Sequence, residues 1–362
     1  MTFHARTGTG STIQDLPTPA LVLDQSRFDS NVAIVSAVRP GLTLRPHVKA
    51  HKCSTLAQRL ASQGHTSFTC ATPREVIGMV HAGLGSDLLL ANETVDQRRL
   101  SEMASLLDQA RITVAIDSQI TATLAAQAGI RDVVIDINVG LPRCGVAPTG
   151  ASALANFAVS RELNVRGVMG YEGHLMTVAD RSEQQAKVRS AMEILVTCFD
   201  EVRSASGPDC LIISAGGTGT FDLYDTADPV LGRITEIQAG SYALMDSHYG
   251  ALDLPFQQAL YVLGTVISVS DSWAVIDVGL KSLGMDHGNP TIDGASVWFC
   301  SDEHTTFSMK DNASMPNVGD RIFVQPAHID PTIAMHDMIY LSNGLTATSA
   351  VIESWPVDLR GW

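Results

Sequence analysis

The chain has 362 residues, a formal net charge of −14, 45% hydrophobic residues and 17% charged residues. This length exceeds the usual size of a single core and predicts one large domain with a smaller one. The acidic charge argues against nucleic acid and anionic membranes as partners, because both select basic surfaces. No apolar run reaches the length of a membrane span, and residues 1–17 lack the apolar region of a signal peptide. Six scattered cysteines without a CxxC pair are typical of reduced thiols, so we expect a cytoplasmic protein.

From residue 26 to 250, short β-branched runs alternate with amphipathic segments, which predicts an α/β domain. Eight strands alternating with helices over this length predict a (β/α)8 TIM-type barrel. A doubly wound open sheet is the alternative, but no GxGxxG motif follows the first strand. The predicted strands are Leu42–Lys49, Ser67–Thr72, Asp87–Asn92, Ile112–Asp117, Asp132–Val139, Val165–Glu172, Cys210–Ala215 and Glu236–Tyr242. The clearest predicted helices are Ser54–Gln63, Arg74–Ala82, Asp96–Ala110 and Glu183–Ser204.

After residue 250 the pattern changes to short strands separated by Gly, Asp, Asn and Pro, with almost no helical periodicity. This predicts a second, mostly β C-terminal domain, formed by residues 251–362 together with residues 1–25. The early strand Ala20–Asp24 is expected to pair with that domain. The other predicted strands are Val262–Ser268, Trp273–Val278, Ser296–Cys300, Arg321–Gln325, Met338–Leu341 and Ala350–Ser354.

Polar and glycine-rich residues follow the carboxyl ends of five predicted barrel strands, the end at which such barrels carry their chemistry. Lys49 ends the first strand between apolar neighbours and near other cations. Desolvation and like charge favour the neutral amine, which is the form that makes an imine. A surface lysine at a strand end is the alternative interpretation.

The run Ser214–Thr220 after the seventh strand has the composition of an anion-binding turn. Glycines let successive backbone N–H groups converge, and Ser214, Thr218 and Thr220 add hydroxyl groups. Barrels commonly bind phosphate near the seventh and eighth strands, although a plain surface loop is the alternative. A barrel lysine with a phosphate-binding turn predicts pyridoxal 5′-phosphate (PLP), with Arg143 facing its phenolic oxygen or the substrate carboxylate.

The segment His328-Ile329-Asp330 lies in the predicted β domain. If it is extended, the side chains at positions i and i+2 project to the same side and could bind one cation. Imidazole with carboxylate suits Mn²⁺, Mg²⁺, Zn²⁺ or Fe²⁺. Two protein ligands leave coordination positions for water and substrate, as a catalytic metal requires.

These segments together resemble the metal-activated D-threonine aldolase/D-serine dehydratase family, whose barrel is similar to that of alanine racemase. They follow the family order over nearly the whole chain. The segments that carry the resemblance are Thr18–Asp24, Arg45–Lys52, Arg143–Gly145, Gly216–Gly219, Gln238–Tyr242, Ser301–His304 and His328–Thr332.

The resemblance implies that Lys49 binds PLP and that His328 and Asp330 bind a divalent metal, Mn²⁺ or Mg²⁺ in the first place and Zn²⁺ as an alternative. Gln238 falls where racemases keep an arginine beside the pyridine nitrogen, which is a departure from the racemase pattern. The other implied cofactor-binding residues are Arg143, Ser214, Gly216, Gly217, Thr218, Gly240, Ser241 and Tyr242.

The implied activity is cleavage of a β-hydroxy-D-amino acid, such as D-threonine, D-phenylserine or 3-hydroxy-D-aspartate, to glycine and an aldehyde. His174 or a metal-bound hydroxide would remove the hydroxyl proton, with Tyr171 assisting. Asp330 favours this branch, because dehydratases commonly have a cysteine there. The rivals are a D-serine or 3-hydroxyaspartate dehydratase, a racemase and a non-catalytic PLP-binding protein. The resemblance also implies a homodimer, and we expect Lys49 and the metal pair to hold opposite ends of one substrate.

Overall fold

The structure is a computed structural model that describes residues 11–311 and 313–362. Residues 1–10, which belong to the predicted β domain, lie outside the described residues. The chain divides into two compact units. We call one the barrel unit (Val35–Lys49, Leu56–Gly240 and Leu359–Trp362) and the other the β unit (the described residues up to Ile34, Ala50–Thr55 and Ser241–Asp358). The predicted domain limits, 26–250 and 1–25 plus 251–362, stay a prediction.

Strands and helices alternate along most of the barrel unit, as the sequence pattern predicts. The strands are β1 (Ala20–Asp24), β2 (Ser67–Cys70), β3 (Asp87–Leu90), β4 (Ile112–Ile116), β5 (Asp132–Asp136), β6 (Asn164–Met169), β7 (Ile212–Ala215), β8 (Glu236–Ile237), β9 (Leu260–Val269), β10 (Ala274–Ile276), β11 (Thr291–Ile292), β12 (Ala295–Cys300), β13 (Thr305–Met309), β14 (Arg321–Gln325), β15 (Met338–Ser342) and β16 (Val351–Pro356). The helices are α1 (Gln25–Val38), α2 (Ser54–Ser62), α3 (Pro73–His81), α4 (Gln97–Ala104), α5 (Gln119–Ala128), α6 (Ala151–Ser160), α7 (Arg181–Ser206), α8 (Ser247–Gly250) and α9 (Ile329–Ala334).

The barrel unit contains a parallel sheet in which β2 to β8 are neighbours in chain order. Apolar side chains from β3 to β6 form a buried cluster, which explains the near-continuous apolar runs of these strands. An eighth position is filled by residues 44–47, where Leu44 bridges to Ile237 of β8 and His47 bridges to Thr69 of β2. The predicted (β/α)8 barrel is therefore confirmed as an architecture.

The prediction of a first strand over Leu42–Lys49 is wrong, because this segment does not form a regular strand. It consists of two 3₁₀ turns, Gly41–Thr43 and Val48–Ala50, on either side of the two isolated bridges. Pro46 has no backbone N–H to donate to a ladder, which limits this segment to bridges.

Buried ion pairs connect residues 42–49 to strands β3 and β8 of the barrel. Arg45 is 2% exposed, and its guanidinium donates to both carboxylate oxygens of Glu236 at 2.8 and 2.9 Å and to Asp87 at 3.1 Å. Arg166 donates to the same Asp87 at 2.7 Å. Partial burial opposes ionisation of Asp87, but the two guanidinium groups outweigh it and lower the pKa of Asp87 to about 2.

The β unit is built on a mixed sheet with the strand order β12-β13-β10-β9-β1-β15-β16, and β14 pairs with both β9 and β11. Strand β1 lies between β9, to which it is antiparallel, and β15, to which it is parallel. The prediction that Ala20–Asp24 joins the β domain is confirmed. The sequence missed the short β11 and the threonine-rich β13. Among the described residues, no helix is both long and apolar enough to cross a membrane.

Candidate active site

In the barrel unit, Lys49 lies in the 3₁₀ turn Val48–Ala50, directly after the bridge at His47. Its neighbours Val48 and Ala50 are fully buried, while the lysine itself is half-buried. The backbone N–H of Lys49 points back to Nδ1 of His47 at 3.4 Å. Lys49 is therefore flanked in the chain by buried apolar residues, as the sequence pattern suggests.

The loops after β5 and β6 carry three of the sequence-predicted residues, Arg143, Tyr171 and His174. The guanidinium carbon of Arg143 lies 5.3 Å from the centroid of the Tyr171 ring, within cation–π range. His174 lies against Gly140, where an added Cβ would be 3.2 Å from the histidine Nε2. Gly140 has a φ of +122°, so a side chain there would be strained as well as crowded.

The glycine turn after β7, residues 216–220, is held from inside the barrel unit by Glu172. This carboxylate is completely buried and accepts hydrogen bonds from Gly216 N–H at 3.1 Å, from Thr220 Oγ1 at 2.9 Å and from Tyr224 Oη. Burial raises its pKa, and the donated hydrogen bonds oppose that rise. The Thr220 hydroxyl, which the sequence suggested as a phosphate donor, is thus used within the protein.

The glycines of this turn are required by close packing against the loop after β6. A Cβ on Gly219 would lie 2.1 Å from the carbonyl oxygen of Met176, and one on Gly217 would lie 2.8 Å from the Met176 sulfur. Gly216 adopts a φ of +79°, which favours glycine. The sequence singled out the glycines but assigned no role to Glu172; an acidic residue at the end of an apolar strand was the available signal.

Two predicted cofactor residues meet at the ends of β7 and β8, where Gln238 Nε2 donates to Ser214 Oγ at 2.8 Å. Gly240 also belongs to the barrel unit. Ser241 and Tyr242 belong to the β unit, where they lie in a 3₁₀ turn and the Tyr242 ring is fully buried. The structure therefore places Ser214 and Gln238 in direct contact.

A group of carboxyls that the sequence did not single out lies at the ends of β3, β4 and β5. Asp136 is 4% exposed, and burial followed by the charge and hydrogen bond of Glu93 raises the pKa of Asp136 from 3.8 to about 8. Asp117 contributes a smaller effect in the same direction, while Arg143 opposes it. The raised pKa keeps the Asp136 carboxyl largely protonated at neutral pH, next to the loop that carries Arg143.

In the β unit, His328 and Asp330 face each other across a gap that fits one metal ion. His328 Nε2 lies 3.9 Å from Asp330 Oδ2. Nitrogen and oxygen ligands each lie about 2.1 Å from a bound divalent ion and so can be at most about 4.2 Å apart. An imidazole with a carboxylate is also a donor set that suits Mn²⁺, Mg²⁺ or Zn²⁺.

The expected reason for this pairing was wrong, because the segment is not a strand. His328 is the extended residue preceding α9, with φ −145° and ψ 119°, and Asp330 lies in the first turn of that helix. Asp246 fixes the backbone between them by accepting Ile329 N–H at 3.2 Å. The side chains converge because the chain changes direction at the helix start.

Two further histidines and a carboxylate lie near His328, although they are far from it in the sequence. Asp286 Oδ2 accepts from His328 Nδ1 at 2.7 Å. His287 stacks on His328 with ring centroids 4.1 Å apart and an interplanar angle of 5°, and His248 lies 4.2 Å from His287. Asp286, His287 and His328 could together hold a metal ion. No local sequence signal pointed to these neighbours, because 42 residues separate Asp286 from His328.

The segment 50–55 contributes two more residues to the β unit. Lys52 Nζ donates to the backbone carbonyl of Asp330 at 2.9 Å. His51 is fully buried, and burial followed by the charge of Lys52 lowers the pKa of His51 to about 3, so this imidazole is neutral. Lys52 therefore connects the segment 50–55 to the first turn of α9 through the Asp330 carbonyl.

Comparison with known proteins matches each of two parts of the chain to a family model. The alanine racemase N-terminal domain model matches residues 23–248, and the serine dehydratase domain model matches residues 259–342. D-threonine aldolase from Arthrobacter sp is 32% identical over 98% of this chain and 95% of that protein. The chain belongs to the D-threonine aldolase/D-serine dehydratase family. It is therefore a lyase with an alanine racemase-like barrel, and its family implies PLP.

Other members of the family agree with this assignment. The crystal structure of D-threonine aldolase from Filomicrobium marinum superposes with a TM-score of 0.90 at 31% identity and covers 99% of each chain. A 3-hydroxy-D-aspartate aldolase from Paracoccus denitrificans (strain Pd 1222) is 29% identical over 96% of this chain and 93% of that protein.

Proposed function

We propose that this lyase is a PLP- and divalent-metal-dependent aldolase that cleaves β-hydroxy-D-amino acids to glycine and an aldehyde. The observation that carries the proposal is the position of Asp330, whose carboxylate faces Nε2 of His328 at 3.9 Å. Oxygen and nitrogen ligands favour a hard ion that binds a hydroxyl group, whereas a thiolate would select a softer metal. The relatives named as D-threonine aldolase and 3-hydroxy-D-aspartate aldolase support the same choice.

The barrel unit offers groups that fit PLP. The Lys49 amine suits the cofactor aldehyde, and the Gln238 amide suits the ring nitrogen. The N–H groups of Gly216 and Gly217 donate to Glu172 and Thr220, so these glycines would let a phosphate approach the turn closely, and Thr218 would contribute its hydroxyl group. Bound PLP would supply an electron sink for the pair released when the Cα–Cβ bond breaks. The further residues proposed to hold it are Arg143, Ser214, Gly240, Ser241 and Tyr242.

The β unit would bind the metal through His328 and Asp330, with Mn²⁺ or Mg²⁺ as the first expectation. A bound divalent ion supplies Lewis acidity that lowers the pKa of a coordinated hydroxyl group. Two protein ligands leave positions on the ion for the substrate oxygen. We propose that these two residues orient the β-hydroxyl group.

Cleavage requires a base for the proton of the β-hydroxyl group. His174 is the proposed acceptor in the barrel unit, since it lies on the loop after β6 against Gly140. Tyr171, which packs under the Arg143 guanidinium, would assist by positioning that loop and its charge. Replacing His174 with alanine should then lower kcat far more than it raises KM.

A dehydratase acting on D-serine or 3-hydroxyaspartate is the second candidate. The serine dehydratase domain model covers residues 259–342, which include both proposed metal ligands. In that reaction the β-hydroxyl group would leave as water and the Cα–Cβ bond would stay intact, so the products would be a keto acid and ammonia instead of an aldehyde and glycine. A homodimer and a cytoplasmic location stay predictions, which size-exclusion chromatography with light scattering and cell fractionation would check.

The test is turnover of D-threonine, D-phenylserine, 3-hydroxy-D-aspartate and D-serine by the PLP-loaded protein, with and without Mn²⁺, identifying both products. We expect aldehyde and glycine in equal amounts, stimulated by Mn²⁺ and without ammonia. Keto acid with ammonia would establish the dehydratase instead. The substrate with the highest kcat/KM would show which β-substituent the enzyme prefers.

A further inference from the structure

A histidine can bind a metal through either ring nitrogen, so the orientation of the His328 ring decides whether it can pair with Asp330. In the β unit, Nε2 faces Asp330 Oδ2 at 3.9 Å, and Nδ1 faces away from it, toward Asp286. A ring turned by half a revolution would bring Nδ1 toward the gap and lose this arrangement. Some other group must therefore fix the ring.

Asp286 has the geometry to do so. Its Oδ2 lies 2.7 Å from His328 Nδ1, which is within the range of a charge-assisted hydrogen bond. A carboxylate can only accept, so Nδ1 carries the proton and the lone pair remains on Nε2. Metal-binding histidines commonly donate their second ring N–H to a carboxylate in this way, which fixes the tautomer and raises ligand basicity.

His287 restricts the same ring from its face. Its ring is nearly parallel to that of His328, at 5° and with centroids 4.1 Å apart. His248 in turn packs against His287, with ring centroids 4.2 Å apart and an interplanar angle of 44°. The stack limits tilting of the His328 ring, and the Asp286 hydrogen bond limits its rotation.

The loop that carries Asp286 and His287 is itself attached to His328. Gly284 forms an antiparallel bridge with His328, and its N–H donates to Thr332 Oγ1 at 2.9 Å. The Thr332 hydroxyl donates in turn to the His328 carbonyl at 2.7 Å. A Cβ on Gly284 would lie 2.2 Å from the Pro331 ring, so only glycine permits this approach.

We infer that Asp286 is a positioning residue of the metal centre, which holds the His328 ring so that Nε2 and Asp330 bind one divalent ion. The inference rests on the proposed function for the presence of that ion. Asp286 does not touch the ion; it acts through His328. The alternative is that Asp286, His287 and His328 themselves bind an ion on the Nδ1 side, since their ligand atoms lie within 4.8 Å of one another.

The experiment measures Mn²⁺ binding by PLP-loaded, metal-stripped protein, using the electron paramagnetic resonance signal of free Mn²⁺. Asp286→Ala should raise the Kd about 10- to 100-fold. Asp286→Asn should raise the Kd less, because the amide oxygen can still accept a hydrogen bond from the Nδ1–H group of His328. Asp271→Asn, which removes an equal charge from an exposed site in the same unit, should leave the Kd unchanged. Circular dichroism and cofactor absorbance confirm that each variant is folded.

A second readout identifies the nitrogen that binds the metal. Long-range ¹H–¹⁵N spectra of the Zn²⁺-loaded protein should show His328 bound through Nε2 and protonated at Nδ1. Binding through Nδ1, or an Asp286→Asn loss as large as that of Asp286→Ala, would assign the ion to the Asp286 side and overturn the inference. A wild-type Kd in Asp286→Ala would also overturn it while leaving the proposed function intact. Absence of Mn²⁺ binding by the wild type would reject both.

Discussion

At the scale of single residues, the buried carboxylate of Glu172 stabilises the glycine turn after β7. Its two oxygens accept from Gly216, Thr220 and Tyr224, so they fix both ends of the glycine turn after β7. A buried carboxylate is costly unless such donors surround it. Its role in the barrel unit is therefore to hold the turn that we propose binds the cofactor phosphate.

Replacing Glu172 with glutamine should weaken both this turn and PLP binding. The amide has one accepting oxygen in place of two, so at least one of the three donors loses its partner, at a cost of about 1.5–3 kcal/mol in the free energy of unfolding. Urea unfolding and a PLP titration of the apoprotein measure the two effects. Tyr224→Phe keeps the bonds to Gly216 and Thr220 and should change the PLP Kd much less. Equal PLP affinity in Glu172→Gln and wild type would contradict this role.

Lys49 is proposed to hold PLP covalently, so Lys49→Ala should abolish the visible cofactor absorbance of the purified protein. The matched control is Lys52→Ala, whose ammonium group donates to the Asp330 carbonyl at 2.9 Å and should not be needed for that absorbance. Absorbance spectra before and after borohydride treatment make the comparison. A borohydride-reducible chromophore in Lys49→Ala would show that another lysine binds the cofactor.

The raised pKa of Asp136 makes the folded protein's stability depend on pH. Because the pKa of Asp136 rises from 3.8 to about 8, the folded state keeps a proton that the unfolded state loses above about pH 4. Its contribution to stability is therefore fully present below pH 4 and is lost as the pH rises toward 8. Asp136→Asn should flatten the decrease in the urea midpoint between pH 6 and 8. An unchanged slope in the variant would show that Asp136 is already ionised in the folded protein.

At the scale of elements, the segment before Lys49 lacks a regular ladder, so the ion pairs of Arg45 replace the missing hydrogen bonds. Arg45→Met should lower the free energy of unfolding by about 3–5 kcal/mol, because Glu236 would stay buried without its partner. The double variant Arg45→Met/Glu236→Gln should recover much of that loss. Arg98→Met, at an arginine whose side chain is 93% exposed, should change stability by no more than about 0.5 kcal/mol. Urea unfolding of the four proteins tests the prediction; a single-variant loss as small as that of Arg98→Met would contradict it.

The strands that the sequence predicted well are those with near-continuous apolar runs, such as β3 to β5, because burial on both faces leaves a strong signal. The segment 42–49 has the same β-type composition but pairs through only two bridges. It does not form a regular strand because of Pro46, and it is held instead by ion pairs between Arg45 and residues that are distant in sequence. Composition could not reveal either pairing.

The residues of the candidate site also fall into two groups: those that the sequence pointed to and those that it did not. Lys49, the glycine turn and the His328–Asp330 pair stood out because unusual residues fall in short motifs. Glu172, Asp136 and Asp286 did not stand out, because the role of each depends on partners on other elements. The pairing of His328 with Asp330 was found through strand spacing, although the start of a helix produces it.

At the scale of the whole molecule, family membership determines the architecture and the lyase class, while the substrate and reaction branch depend on a few side chains. Both the aldolases and the serine dehydratase domain share the fold, so the choice between branches rests on Asp330 more than on overall similarity. We propose that Lys49 and the His328–Asp330 pair serve a single carbon–carbon cleavage. Removing the metal pair should then spare the cofactor and stop the reaction.

The most direct test compares wild type and Asp330→Ala, both loaded with PLP, for cofactor absorbance and for aldehyde and glycine formation from D-phenylserine with and without Mn²⁺. We expect equal visible absorbance in the two proteins, Mn²⁺-stimulated equimolar products from wild type, and neither stimulation nor appreciable product from Asp330→Ala. Mn²⁺-stimulated cleavage that persists in Asp330→Ala would show that this carboxylate is not needed for the reaction.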